Sequence, residues 1–492
     1  MKQKRVKPQI LKGFQDLLPE DMIARQRVID AIRHVYERYG FVPIDTPVLE
    51  RFDILTGSAG ADVNKEIFAL ETPEAEAAAM RFDLTVPFAR MISQYREEIK
   101  LPFRRYHIGP VFRADKPGPG RFRQFTQFDV DIAGARGLAA DAEIIAVLCE
   151  AMRAVGLVDN DKPLFRVRVS NRLLVDALLT GNGITDTERM KHTLRVIDKL
   201  RKVGIENIQR ELGPGRVDDS GDPIPGVQLP DSVIAAITAF IAVSAASRLD
   251  TVTQLADTLP DTDATKNALD EMRELASLLD ALGISEEEAI FDPSLARGLD
   301  YYTGPVYEIE VVAQEALGSV GAGGRYNQLC KRFSGQEVPA TGGSIGLDRL
   351  MTALHAVNKA AFPKSTVQAC IATVGKVAPR EVLLLAAELR AAGINTLTYL
   401  GGKKNMAAQL SDADRYNIPV AVILGEDELQ RGEVAVKDLI AGKETRADID
   451  DHDAYRKAGR NTQETVKREA LIETVRGILQ EDASESLGMR NL

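Results

Sequence analysis

Residues 121–132 read Arg-Phe-Arg-Gln-Phe-Thr-Gln-Phe-Asp-Val-Asp-Ile. Side chains on an extended strand alternate between its faces. The odd positions therefore place Arg121, Arg123, Phe125, Gln127, Asp129 and Asp131 on one side, and the even positions place Phe122, Gln124, Thr126, Phe128, Val130 and Ile132 on the other. One face is mostly apolar and packs on a core. The other carries guanidiniums at one end, carboxylates at the opposite end and an aromatic ring between them. A merely solvated face needs no such ordering. The pattern suits a ligand with an anionic end, a flat ring and a cationic or donor-bearing end.

Working outward, Phe112-Arg113-Ala114-Asp115 precedes Lys116-Pro117-Gly118-Pro119-Gly120. Proline and glycine at that density mark a loop, so strand, loop and strand form a hairpin with Arg113 near its mouth. Residues 81–85, Arg-Phe-Asp-Leu-Thr, alternate in the same way, with Arg81, Asp83 and Thr85 on a shared strand face. Two glycine-rich segments follow, Gly321-Ala322-Gly323-Gly324-Arg325-Tyr326 and Gly342-Gly343-Ser344-Ile345-Gly346-Leu347-Asp348-Arg349-Leu350. The first is not a dinucleotide fingerprint, and no GxxxxGK[ST] phosphate loop occurs. Each segment ends in an arginine, which suits a polyphosphate lying against closely packed backbone.

The rest of the chain sets the frame. Its 492 residues suggest about three domains at roughly 150 residues each. Lys and Arg total 62 against 72 Asp and Glu, a net charge of −10, which argues against a non-specific nucleic-acid coat but leaves local basic patches open. Cys149, Cys330 and Cys370 are far apart with no CxxC, and His34, His107, His192, His355 and His452 show no metal-ligand spacing, so no metal centre and no disulfide framework is expected. The apolar stretch 232–247 is shorter than the about 20 residues needed to span a bilayer and reads as a buried helix. The basic start, residues 1–9, has no apolar segment behind it and is not a secretory signal. A cytoplasmic protein with no membrane and no DNA partner is expected.

Helical spacing covers 21–39 and 142–155, and 165–169 alternates as a strand. From 172 to 290 the texture is helical, rich in Ala, Leu, Asp and Glu, and read as an inserted domain. Beyond 368, strand and helix alternate at 368–374, 380–392, 396–400, 405–415 and 420–424, ending in a helix over 464–479; this predicts a small α/β domain with a largely parallel sheet. The divisions are 1–171 and 291–362 for the two parts of a first domain, 172–290 for the insertion and 365–492 for the last.

These motifs resemble those of the class II aminoacyl-tRNA synthetases, and within subclass IIa those of the histidyl-tRNA synthetase family. Gly13, Asp16 and Pro19 are similar to its opening segment. Tyr39-Gly40-Phe41 through Thr46-Pro47 to Glu50 is similar to motif 1, Phe112-Arg113 with Arg121 to Phe125 to motif 2, and Gly343 to Leu350 to motif 3. Ala296-Arg297-Gly298-Leu299-Asp300-Tyr301-Tyr302 and Gly321 to Tyr326 resemble segments peculiar to the histidine enzymes, and 368–439 resembles their anticodon-binding domain. One departure is Asp115, where motif 2 usually carries glutamate; Asp131 likewise stands where some members carry glutamate.

The resemblance implies an α+β catalytic domain on an antiparallel sheet, interrupted by the helical insertion and followed by an α/β anticodon-binding domain. It implies a homodimer, built through motif 1, that joins L-histidine to its tRNA using ATP with Mg²⁺. Arg113 and Arg297 would be catalytic at the α-phosphate. Arg121, Arg123 and Arg349 would join them on ATP, with Phe125 stacking on adenine. Asp83, Leu84, Thr85, Gln127, Asp131, Tyr301, Tyr302 and Tyr326 would bind histidine, Asp131 accepting from the ring N–H and Tyr302 donating to its other nitrogen. A related possibility is a synthetase-like regulatory subunit of histidine biosynthesis. Such proteins usually lack the last domain and erode the phosphate arginines, and here both are present.

Overall fold

A computed structural model describes residues 6–56, 66–218, 221–296, 301–357, 365–399, 405–444 and 462–485. The chain divides into two compact units, residues 1–16 with 30–359, and 17–29 with 360–492.

The first unit is organised by eight strands: β1 (Val42–Pro43), β2 (Phe103–Phe112), β3 (Gln124–Ala133), β4 (Phe165–Asn171), β5 (Ala289–Phe291), β6 (Pro305–Val311), β7 (Gly321–Arg325) and β8 (Ala340–Gly346). Their order in one sheet is β1-β2-β3-β8-β7-β6-β4-β5. The six central strands are antiparallel to their neighbours, and the short edge strands β1 and β5 pair in parallel. This is the antiparallel sheet the motifs imply. Helix α1 (Pro19–Arg38) brings Tyr36 edge-on to Phe128, with centroids 5.0 Å apart. Phe128, Val130 and Ile132 are buried as the parity predicts.

The parity ends where the strand does. Strand β3 begins at Gln124, whereas Arg121 sits in a tight turn paired with Gly118 and the Arg123 amide donates to Gly13 C=O at 2.7 Å. Residues 81–85 also depart from expectation. They are not a strand but the corner entering helix α2 (Thr85–Gln94), where Asp83 Oδ1 accepts from the Val86 amide at 3.0 Å and occupies a donor the first turn leaves free.

Between β4 and β5 the chain runs through helices Arg172–Gly181, Thr187–Ile197, Ile205–Leu212, Asp231–Ile241, Arg248–Thr258 and Asp263–Ala281. Asn171, Asp186, Ser247 and Thr262 cap four of them through their side chains. The apolar stretch at 232–247 is helical only to Ile241, burying Val233, Ile237 and Phe240.

The second unit has strands β9 (Ala369–Val374), β10 (Thr396–Thr398), β11 (Val420–Gly425), β12 (Glu433–Asp438) and β13 (Gln463–Lys467), in the order β10-β9-β11-β12-β13. Pairing is parallel for β10, β9 and β11 but antiparallel for β12 and β13. The sheet is thus mixed rather than largely parallel. The final helix begins at Leu471, because residues 463–467 extend the sheet instead.

Candidate active site

The glycines of β7 and β8 let the sheet carry a cleft. A Cβ at Gly342 would overlap Asp131 Oδ1 and lie 2.7 Å from Val130 C=O, and one at Gly324 would lie 2.7 Å from Tyr302 Cδ1. Bare backbone at these positions leaves room for the side chains of neighbouring elements. The resulting cleft, about 1030 Å³ including the solvent at its mouth, is walled by Asp83 and Thr85 from the corner before α2, by Arg113, Asp115 and Arg121 from the hairpin, and by Phe125, Gln127, Asp129 and Asp131 from β3. Tyr301, Tyr302, Tyr326 and Arg349 complete the wall. Phe125 and Asp131 are six residues apart, about 20 Å at about 3.3 Å per residue, long enough for a nucleotide and a small second substrate end to end.

At the basic end, Arg113 Nε donates to Phe82 C=O at 2.9 Å and its guanidinium carbon lies 5.2 Å from the Phe125 centroid. Arg349 opens helix α3 (Leu347–Val357) and donates from Nη1 to Ser319 C=O at 2.6 Å. Its neighbour Asp348 accepts from the Thr126 amide and Gln15 Nε2, fixing that helix start to β3. Asp115 lies 4.0 Å from Arg121 Nε. It also faces Glu66, whose carboxyl is pushed up to about 7 by burial and then by the hydrogen bond and charge of Asp115.

The acidic end is buried. Among the described residues, Asp83 Oδ2, Gln127 Oε1, Asp129 Oδ1 and Asp131 Oδ2 have no hydrogen-bond partner. Asp131 Oδ2 faces the Arg105 guanidinium at 2.7 Å, and the other three acceptors match the three N–H donors of an ammonium group. Burial pushes Asp83 up to about 6, opposed by the Val86 amide and Arg113. Asp129 is pushed up to about 7 by burial and by Asp131, against the pull of Arg105. Asp131 is also raised by burial, while Arg105 and the Tyr326 hydroxyl favour its ionised form. Tyr326 donates to Asp131 Oδ1, and Tyr301 packs between Tyr302 and Tyr326 with centroids at 4.8 and 6.2 Å.

A family model described as Histidyl-tRNA synthetase matches residues 13–350, and one described as Anticodon binding domain matches 368–478. The chain belongs to the histidyl-tRNA synthetase family. It is 39% identical to the histidine–tRNA ligase of Paracoccus denitrificans, over 97% of this chain and 99% of that one. It is 40% identical to the histidine–tRNA ligase of Rhizobium meliloti, over 98% of each. A histidyl-tRNA synthetase structure from Nostoc sp. PCC 7120 superposes with a TM-score of 0.78 at 30% identity, covering 96% of this chain and 99% of that one. A structure from Bacillus halodurans described as an ATP phosphoribosyltransferase regulatory subunit/histidyl-tRNA synthetase shares the fold, with a TM-score of 0.69 at 23% identity.

Against this family background the cleft brings together most of the residues singled out by sequence. Three do not fit. Leu84 is fully buried and off the cleft wall, and its carbonyl accepts from the Phe88 amide and from Arg105. Arg123 is also off the cleft wall, with Nε on Asp115 C=O; both follow from the corner and the turn replacing continuous strands. Arg325, the terminal arginine of the first glycine-rich segment, pairs instead with buried Asp141 at 3.0 Å through Nε. Arg297 lies outside the described residues. Sequence reasoning gave no role to Glu66 or Arg105. His107 bonds Asp45 at 2.9 Å, and burial with Arg105 and Arg81 lowers it to about 3, so it is neutral and structural.

Proposed function

We infer that this chain is an ATP-dependent histidine–tRNA ligase. The observation that carries this reading is one cleft with guanidiniums at one end and a cluster of buried acceptors, unpaired among the described residues, at the other. A histidine carboxylate oxygen attacks the α-phosphorus of ATP, the bond to the bridging oxygen of the β-phosphate breaks, and pyrophosphate leaves. A hydroxyl of the terminal tRNA ribose then attacks the adenylate carbonyl and AMP leaves. Arg113, with Arg297, stabilises charge developing at the α-phosphate; Arg121 and Arg349 hold the outer phosphates, and Phe125 stacks on adenine. Asp83, Thr85, Gln127 and Asp129 take the ammonium, and Asp131 and Tyr302 read the ring, with Tyr301 and Tyr326 walling it. Mg²⁺ enters with ATP, held by its phosphates.

The protein works as a cytoplasmic homodimer joined through motif 1. Residues 365–492 bind the anticodon region, and the insertion 172–290 contacts tRNA. No helix among the described residues is long and apolar enough to cross a membrane. The purified chain, without a partner, is expected to catalyse histidine-dependent ATP–pyrophosphate exchange and to charge tRNA. Histidine binding with neither reaction would overturn this reading in favour of a regulatory subunit.

The buried acids give the activity a pH signature. Asp83 and Asp129 serve an ammonium best when ionised, and their values of about 6 and about 7 stand above the ordinary 3.8. Histidine KM therefore rises as pH drops through 7 and then 6, approaching about tenfold per unit for each group. Substrate imidazole titrates in the same range for every variant, so the comparison is with D129N, which should lose the upper step. Stability moves the other way. The raised values mean the empty protein gains stability on acidification through this window and loses it as pH rises through 7. Melting temperature against pH, without ligand, reads that opposite slope.

A further inference from the structure

The most deeply placed charge near the cleft belongs to no motif. Arg105 on β2 is fully buried. In the β2–β3 register it stands directly opposite Asp131, with His107 opposite Asp129. Its Nη2 lies 2.7 Å from Asp131 Oδ2 and 3.7 Å from Asp129 Oδ2, and donates to Leu84 C=O at 3.3 Å. The guanidinium carbon sits 4.4 Å from the centroid of Phe88, a cation–π contact that carries charge without consuming a donor.

Other buried arginines of this protein are used differently. Arg248 donates to the carbonyls of Ser285, Ile284 and Ala289 and to Asp280, tying four points of the backbone and surface together. Arg168 reaches Asp292, Glu310 and Ser294. Among the described residues Arg248 leaves only Nε without a hydrogen-bond partner, whereas Arg105 leaves both Nε and Nη1 and directs Nη2 at two cleft carboxylates. Leaving buried donors unmet is costly, and a residue kept only for packing would be better replaced by an apolar side chain. What Arg105 supplies is a fixed positive charge behind Asp131, while Tyr326 fixes the other oxygen from the opposite side.

We propose that Arg105 is a positioning residue for the substrate amino acid, clamping Asp131 between its guanidinium and Tyr326 so that this carboxylate presents a fixed acceptor to the ring. The assignment rests on the histidine–tRNA ligase reading. Arg105 touches neither nucleotide nor reacting atoms, so its effect falls on one substrate. Losing the buried ion pair that fixes Asp131 gives R105M a histidine KM about 10- to 100-fold higher. Its KM for ATP stays within about twofold and its kcat at saturating histidine falls less than its kcat/KM. R105K, which keeps the charge, recovers most of the loss.

The measurement is ATP–pyrophosphate exchange with histidine and ATP varied separately, alongside melting temperatures. An unchanged histidine KM in R105M overturns the proposal. So does an equal rise in both KM values with no recovery in R105K, which is the behaviour of a packing residue. If R105M does not fold, R105Q, which removes the charge but keeps a polar side chain, decides: a KM rise confined to histidine supports the assignment, and no rise or an equal shift for both substrates refutes it. Wild-type protein inactive with histidine overturns the functional reading itself, whereas active wild type with R105M indistinguishable from it overturns this assignment alone.

Discussion

Arg113→Ala lowers the kcat of histidine-dependent ATP–pyrophosphate exchange by about 10²–10³-fold, the loss expected when a preorganised donor to developing charge is removed. The magnitude follows from how the residue is held. Arg113 Nε is tied to Phe82 C=O at 2.9 Å and its guanidinium lies against Phe125, so the charge is aimed before substrate arrives and needs no reorganisation during reaction. R113K retains the charge but cannot reproduce the planar fork that grips two oxygens, so it stays nearer to alanine than to wild type. Phe125 also loses a neighbour, and ATP KM rises modestly in both variants. Single-turnover adenylate formation separates the terms: a variant whose chemical step runs at the wild-type rate would remove Arg113 from the α-phosphate.

The contrast between Arg113 and Arg105 shows what a sequence makes legible. Arg113 stands in a Phe-Arg pair before a Pro/Gly loop and an alternating strand, all local signals. The burial of Phe128, Val130 and Ile132 followed from parity alone. Arg105 lies in a stretch with many basic residues, Arg96, Lys100, Arg104 and Arg105 among them, and only the strand register against Asp131 distinguishes it. Register is a non-local property set by pairing, so no window around Arg105 contains it. Residues 81–85 differ in kind, because their conformation has a local signal. Apolar–polar alternation over five residues fits a strand, but Asp83 followed by Pro87 within the first turn is a helix-start signal. That signal explains why Asp83 and Thr85 face the cleft while Arg81 turns away to Pro110 C=O and Thr46. The mixed sheet of the second unit had the same origin as Arg105: strands β12 and β13 meet only through pairing across residues that are distant in the chain.

Asp131→Asn is expected to cost about 10²–10³-fold in kcat/KM for histidine, as for removal of the charge from a buried hydrogen-bonded pair, with ATP KM changed by no more than about twofold. The cost follows from the number of donors this carboxylate meets. The Tyr326 hydroxyl donates to Asp131 Oδ1, and Arg105 approaches Oδ2 at 2.7 Å. On the reading proposed here, the ring N–H of histidine is a third donor to the same carboxylate. A carboxylate has about four lone-pair sites and accepts all three; an amide has one oxygen and adds two N–H donors of its own. Whichever way the asparagine turns, an N–H meets Arg105, Tyr326 or the ring, and at least one buried donor is orphaned. The other ring tautomer, with the Tyr302 hydroxyl turned to accept, recovers part of the loss but still leaves Arg105 and Tyr326 competing for one amide oxygen. Side-chain volume is preserved, so residue 131 still fills the space that Gly342 leaves for it. Histidine analogues with the ring N–H methylated provide the control. They bind wild type weakly because Asp131 then loses its donor, and D131N discriminates against them far less. Equal discrimination by both proteins would place ring recognition elsewhere in the cleft.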